Sequence, residues 1–321
     1  MDSYSLIAPA KINLYLEIIG DAGGGYHELA MVFQTIELAD RVDLRPSKQF
    51  EIRCSHPEVP QNKTNLAYRA GELMAHEFPQ AFARHGGAEI TIDKRIPVAA
   101  GLAGGSTDAG AVLVGLDLMW QLGLTQPELQ KLAVRLGADV PFCLMGGTAL
   151  GTGRGEDLEP LPDLVNVYAI LAKYRSLQVS TAWAYQTYRQ QFGSTYVSGA
   201  EGLEEQRQRF HSGPMIGAIA RQDSALIGKL LHNDLEKVVL PAYPQVAQLR
   251  QVLEEAGTLG AMMSGSGPTV FALVENQERG ADAIERVKAI IDNPDLDLYL
   301  TKFAPTGIRV ANWDQMLNII S

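Results

Sequence analysis

Apolar residues alternate with polar ones at Ala88, Ile90 and Ile92, as in a half-buried strand, and then recur at helical spacing at Val112, Leu113, Leu116 and Trp120. Between the two runs lies Pro97-Val98-Ala99-Ala100-Gly101-Leu102-Ala103-Gly104-Gly105-Ser106-Thr107-Asp108, so a glycine-rich loop opens the helix. A helix N-terminus carries unpaired N–H groups and partial positive charge, and Gly101, Gly104 and Gly105 let an anion approach the backbone without interference from a Cβ. Ser106 and Thr107 add hydroxyls as donors or metal ligands. The stretch reads as a phosphate cradle, with a simple strand-to-helix turn as the plain alternative. It is not a Walker P-loop, which needs a Lys where Ser106 stands, nor a dinucleotide fingerprint, whose glycines are spaced differently.

Ile12, Leu14 and Leu16 alternate with Asn13, Tyr15 and Glu17 and predict a strand with Lys11 at its start, a position where lysine is ordinarily solvated. From Ala261 to Leu273 a Gly/Ser loop runs into another strand, and its small residues allow backbone to pack against backbone or ligand. Thr125 and Glu128 form a capping box ahead of an apolar stripe of Leu129, Leu132, Ala133 and Leu136, which Gly137 stops. Asp139 falls just beyond that helix, before Pro141, where a turn-forming Asp is the ordinary occupant. The run Gly151-Thr-Gly153-Arg-Gly155 is followed by no helical pattern, and Glu156, Asp157 and Glu159 would repel phosphate, so it reads as a turn. Further helices are expected around 245–256 and 280–291. Residues 193–214 are polar and read as a mobile, partly helical insertion.

With 321 residues, 46% of them hydrophobic, the chain buries a full core and has the length of about two domains. A shift to Gly, Pro and acids over 151–162 sets the expected boundary, giving domains of 1–155 and 156–321. Lys and Arg total 27 against 37 Asp and Glu, and the net charge of −10 argues against a nucleic-acid partner. A small anionic ligand needs only local positive charge, which Lys11, Lys94 and Arg95 can supply. Cys54 and Cys143 lack metal-ligand spacing and are expected to be free buried thiols of a reducing compartment. No secretory signal and no long apolar run are read, so the expected setting is the cytoplasm, or the plastid stroma once a transit peptide is removed, with no membrane contact.

Taken together, the three motifs resemble the GHMP kinases, the small-molecule kinase superfamily of galactokinase, homoserine kinase, mevalonate kinase and their relatives. Pro9-Ala-Lys-Ile-Asn-Leu14, Gly25-Tyr-His-Glu-Leu29, Leu136-Gly-Ala-Asp-Val-Pro141 and Ser264-Gly-Ser-Gly-Pro-Thr269 resemble the branch that phosphorylates a cytidylylated methylerythritol for isoprenoid precursors. The resemblance spans nearly the whole chain and is thinnest over 190–220. One departure stands out. The family loop commonly reads Gly-Leu-Gly-Gly-Gly-Ser-Ser, whereas Ala103 here removes a residue free to take positive φ.

The resemblance implies an α+β fold of two domains, each a sheet-and-helix sandwich, with the active site in the cleft between them. It implies ATP as cofactor, with Mg2+, a small-molecule substrate, Asp139 as the base and Lys11 as the cation beside the γ-phosphate. Residues 97–107 would hold the ATP phosphates, and Asn65 and Lys94 would border the adenine. His27 would read the cytosine edge between the rings of Tyr26 and Tyr185, with Asn13 and Thr181 at the diphosphate or erythritol end. A kinase for another small alcohol and a catalytically silent binding protein on the same fold remain the alternatives. Neither the metal ligands nor the oligomeric state follow from these motifs.

Overall fold

A computed structural model describes residues 2–197 and 199–311. The glycines between Asp21 and Tyr26 turn β1 (Tyr4–Gly23) back into β2 (Tyr26–Ser47) as one long antiparallel hairpin. Lys11 therefore lies in the middle of a strand that starts at Tyr4, not at the strand's beginning as its local alternation suggests. Register shifts between Pro9 and Lys11 and between Asn13 and Tyr15 bend the hairpin and re-aim its side chains. Ile12 and Leu14 consequently join one core and Leu16 and Ile18 another.

The first half continues through β3 (Glu51–Cys54), α1 (Leu66–Glu77), α2 (Pro79–His85), β4 (Gly87–Asp93), α3 (Gly104–Trp120), α4 (Gln126–Val134), α5 (Val140–Met145), β5 (Thr148–Thr152) and β6 (Asp157–Leu161). The second runs β7 (Tyr168–Tyr174), α6 (Thr181–Phe192), α7 (Ala200–His211), α8 (Pro214–Ala220), α9 (Ser224–Lys229), β8 (His232–Asn233), α10 (Glu236–Ala242), α11 (Pro244–Glu255), β9 (Gly260–Met263), β10 (Val270–Val274), α12 (Gln277–Ile290), β11 (Leu296–Lys302) and β12 (Arg309–Val310). One sheet has the order β12-β1-β2-β4-β3, with β5 on β2, β6 on β5 and β8 on β1. The other is the antiparallel β11-β7-β10-β9. Helices α1 and α3 cover the first sheet around Leu44, Ile90 and Leu113, and α6, α11 and α12 pack against the second around Ile170, Leu253 and Val287. A third core joins the sheets, where Ile12, Val32 and Ile36 meet Leu171, Phe271 and Phe303. Among the described residues no helix is long and apolar enough to cross a membrane.

Three local expectations change. The Thr125/Glu128 capping box forms, but α4 ends at Val134, and Asp139 becomes the residue that starts α5. Pro141 at the first turn of α5 explains this, because proline fits a helix start and not a helix interior. The polar stretch 193–214, apart from Ser198, which lies outside the described residues, contains a full helix at 200–211. Arg207 on that helix pairs with the buried Glu28 through its Nε at 2.9 Å. Cys143 is buried and Cys54 only half-buried, both as free thiols. The C-terminal 312–321 of the expected second domain lie outside the described residues.

The two halves touch backbone to backbone where Gly101, at φ +75°, faces the 264–267 loop. A Cβ on Gly101 would sit 2.2 Å from the carbonyl oxygen of Ser264. Gly101→Ala is therefore expected to destabilise the fold by on the order of 2 kcal/mol or more, read as a lower midpoint of urea unfolding.

Candidate active site

Lys11 is brought to the cleft by the bulged middle of β1, where its backbone N–H donates to the carbonyl of Leu102 at 3.2 Å. Its ammonium is buried over the ring of Phe33, donates to Asn13 Oδ1 at 2.7 Å and lies 3.6 Å from Asp139 Oδ1. The Asp139 side chain makes no capping bond to α5 and remains about one-third exposed, so the carboxylate faces both the lysine and the cleft. The turn role open to Asp139 in the sequence is thus filled by its backbone, and the side chain is left facing the cleft.

The glycine-rich loop opens a helix as the spacing predicts. Ala99, Gly101 and Ala103 all take positive φ, and the chain then enters α3 with no side chain capping it. Thr107 N–H bonds back to the carbonyl of Ala103 at 2.9 Å, which leaves the N–H groups of Gly104, Gly105 and Ser106 as the unpaired donors of the first turn. A Cβ on Gly105 would meet nothing within 4 Å, whereas one on Gly104 would come 2.8 Å from Lys94 Nζ. The open side of the loop is therefore at Gly105, and Lys94 lies beneath Gly104.

Lys94 differs from its expected role as a free positive charge. Its ammonium is buried between Asp40 and Asp108, with Asp108 Oδ2 at 2.8 Å. Burial pulls its pKa down, but the two carboxylates more than reverse this and raise it. Burial and the neighbouring Asp40 push the Asp108 carboxyl well above the usual carboxylate range, against the pull of Lys94. Arg95 pairs with Asp93 at the surface. Positive potential at the cradle therefore comes from the start of α3 and from Lys11. Asn65 caps α1, accepting from Ala67 N–H at 2.9 Å and donating to the Pro60 carbonyl at 2.7 Å, so its side chain both lines the cleft and is already bonded.

On the opposite wall the His27 ring lies 5.1 Å from that of Tyr185, with Tyr196 edge-on at 5.7 Å. His27 is buried and its Nε2 has no hydrogen-bond partner. Burial, with the charge of Arg189, lowers its pKa and favours the neutral imidazole. Burial and the Asp139 charge raise that of Tyr185, which stays a phenol. Thr181, in the first turn of α6, shares a hydrogen bond with Ser266 Oγ at 2.7 Å, and Tyr26 is 56% exposed at the rim.

A single cleft of about 1340 Å3 gathers Lys11, Asn13, Tyr26, His27, Asn65, Lys94, the loop 97–106, Asp139, Thr181 and Tyr185. Thr107 is the exception. It is fully buried behind the loop with Oγ1 unpartnered and does not reach the cleft. The sequence reading had no place for Asp40, Asp108, Arg154, Arg189 or Tyr196. Asp108 directly follows the loop in the sequence, while Asp40 is a distant strand residue whose ion pair with Lys94 forms only because β2 pairs with β4. Among the described residues no group of three or more His, Cys, Asp or Glu gathers in a way suited to a metal.

The family description "GHMP kinases N terminal domain" matches residues 65–147, and "GHMP kinases C terminal" matches 215–293. A protein from Gloeothece citriformis named 4-diphosphocytidyl-2-C-methyl-D-erythritol kinase is 59% identical over 97% of this chain and 99% of its own length. One of the same name from Trichodesmium erythraeum is 59% identical over 97% of this chain and its full length. A crystal structure of 4-(cytidine 5'-diphospho)-2C-methyl-D-erythritol kinase superposes with a TM-score of 0.71 at 30% identity, covering 94% of this chain and 99% of that one. Homoserine kinase from Cytophaga hutchinsonii shares the fold, with a TM-score of 0.74 at 21% identity over 97% of this chain and 98% of its own.

Ala103 holds φ +56° and ψ +27°, a left-handed conformation that costs a residue with a Cβ about 1 kcal/mol or more relative to glycine. Ala103→Gly is expected to raise stability by up to about 1 kcal/mol, after the added freedom of the unfolded chain is subtracted. A higher urea midpoint at unchanged slope checks this.

Proposed function

The chain belongs to the GHMP kinases, and from that membership we propose that it transfers the γ-phosphoryl group of ATP to a hydroxyl of 4-diphosphocytidyl-2-C-methyl-D-erythritol, a step toward isoprenoid precursors. The observation that carries the reading is the Lys11–Asp139 pair at 3.6 Å, lying in one cleft between a helix-start cradle and a pocket walled by His27 and Tyr185. A cradle alone suits any phosphorylated ligand. The facing carboxylate supports phosphoryl transfer, and the aromatic wall of His27 and Tyr185 supports a flat base on the acceptor.

In this reading the carboxylate of Asp139 takes the proton of the acceptor hydroxyl. That oxygen bonds to the γ-phosphorus as the bond to the β,γ-bridging oxygen breaks, and ADP leaves with the electron pair. Lys11, held by Asn13 and Asp139, offsets negative charge near the moving phosphoryl group. The N–H groups at 104–106 receive the phosphates. Mg2+ is ordinarily bound through phosphate oxygens and water, and Ser106 Oγ at the start of α3 would be a protein oxygen able to complete its shell; when bound, it would neutralise phosphate charge. Residues 1–155 hold the nucleotide, and 156–321 bring Thr181 and Tyr185 to the substrate. The unpartnered Nε2 of His27 supports a polar partner on the base, and Asn13 and Thr181 lie toward the reacting end.

Asp139→Asn is expected to lower kcat by on the order of 100-fold while ATP still binds. Single-turnover kinetics beside ATP titration would measure both, and near-normal turnover would remove Asp139 from the mechanism. ATP consumption against a panel of the cytidylylated substrate, methylerythritol phosphate, mevalonate and homoserine tests the assignment. A site built for a base leaves buried polar groups unpaired without it, so discrimination of up to roughly ten-thousandfold is expected. His27→Ala should raise the KM for the cytidylylated substrate and leave the KM for ATP nearly unchanged. Equal use of mevalonate or homoserine would reassign the substrate, and turnover of none would favour a silent binding protein.

A further inference from the structure

The Gly151–Gly155 run, a bare turn by its sequence, carries a guanidinium to the rim of the base pocket, and we propose that Arg154 is a positioning residue for the cytosine end of the substrate, acting through Tyr26. The proposal rests on the reading above and adds to it a specificity determinant. The β5–β6 turn places Arg154 between Gly153 at φ +68° and Gly155 at φ +111°. Its root is tied to the segment that follows His27, because Leu29 N–H donates to the Gly153 carbonyl at 2.7 Å and Gly153 N–H to Glu28 Oε1 at 3.3 Å. Turn and pocket wall therefore move together.

The side chain is itself aimed. Arg154 donates through its backbone N–H to Glu156 Oε2 at 2.7 Å and through Nε to Glu156 Oε1 at 2.9 Å, which holds the guanidinium in one plane. In that position its Cζ lies 4.8 Å from the centroid of the Tyr26 ring. Tyr26 sits on a glycine turn with 56% of its surface exposed, and the guanidinium is the group that stacks on it. Both residues line the cleft with His27 and Tyr185. A ring free to rotate must be ordered when a base stacks on it, and that ordering subtracts from affinity. A cation stacked on one face orders the ring beforehand and leaves the other face for a flat heteroaromatic base. The acids Glu156, Asp157 and Glu159, which speak against a phosphate site in this turn, are consistent with this role, since Glu156 is what holds the arginine.

The test is a double-mutant cycle on the full chain, with KM for the cytidylylated substrate, KM for ATP and kcat measured for wild type, Arg154→Met, Arg154→Lys, Tyr26→Ala and Tyr26→Ala/Arg154→Met. Binding of cytidine and of CDP is measured alongside. The expected result is a threefold to tenfold rise in KM for the cytidylylated substrate in Arg154→Met, with kcat and the KM for ATP held. Arg154→Lys, which keeps a cation, recovers most of it. In the Tyr26→Ala background the Arg154 change adds nothing, and cytidine and CDP weaken by the same factor. Additive effects, an unchanged KM, or a loss confined to CDP would overturn the proposal while the wild-type preference for the cytidylylated substrate stands. A wild type without that preference would overturn the functional reading and this proposal together.

Discussion

Where Gly101 meets Ser264, the glycine-rich loop of the first half and the Gly/Ser loop of the second lie too close for any side chain between them, and the cleft is assembled around that contact. Ser264 Oγ donates to the carbonyl of Gly101 at 3.0 Å, and the next carbonyl along, that of Leu102, accepts from Lys11. Ser266, two residues beyond Ser264, shares its hydroxyl with Thr181 on α6. The other side of the Gly/Ser loop is held by Asn233 Nδ2, which donates to the carbonyls of Met263 and Gly265 at 2.7 and 2.8 Å. The glycine-rich loop, Lys11 and Thr181 on α6 are thus referred to one backbone contact. In the proposed reaction, a shift of an ångström there would separate groups that must be aligned.

The two lysines of the cleft show how burial assigns roles to like residues. Lys94 has two carboxylates around its ammonium, both buried, and its charge is consumed within the fold. Removing one partner from such a buried cluster leaves an uncompensated charge, so the group behaves as a structural unit beneath Gly104. Lys11 faces a single carboxylate that is partly open to the cleft, and an amide oxygen completes its bonding. Its field is available to a ligand. In a chain of net charge −10, the positive potential in the cleft then comes from this lysine and the uncapped helix start, beside arginines in its lining that are paired with acids.

Much of the fold was legible from periodicity. The strand at Ala88–Ile92, the helix through Trp120, the helices near 245–256 and 280–291 and the Thr125 capping box all form, because each rests on a local pattern that its own packing face enforces. Two of the differences share a cause: the start of β1 and the role of Lys94 depend on partners distant in the chain, Leu44 on β2 for the first and Asp40 in β2 with Asp108 in α3 for the second, whereas the end of α4 and the start of α5 are set locally, with Pro141 only a few residues beyond Val134. The helix at 200–211 is polar nearly throughout, and its docking through Arg207 to Glu28 leaves no local trace.

By itself the sequence determined which chemistry was on offer. A glycine loop before a helix must expose N–H groups, a Pro after Asp139 must shape a turn or helix start, and an Ala at 103 must strain a loop that wants glycine, because these follow from backbone sterics within a few residues. Tertiary structure decided which groups remain free to act. It spent Lys94 on two acids, sealed Thr107 behind the loop, left His27 Nε2 without a partner and brought Arg154 over Tyr26. Those outcomes turn on distances between segments tens to hundreds of residues apart, where burial sets the cost of every unpaired polar atom, and no local pattern encodes that cost.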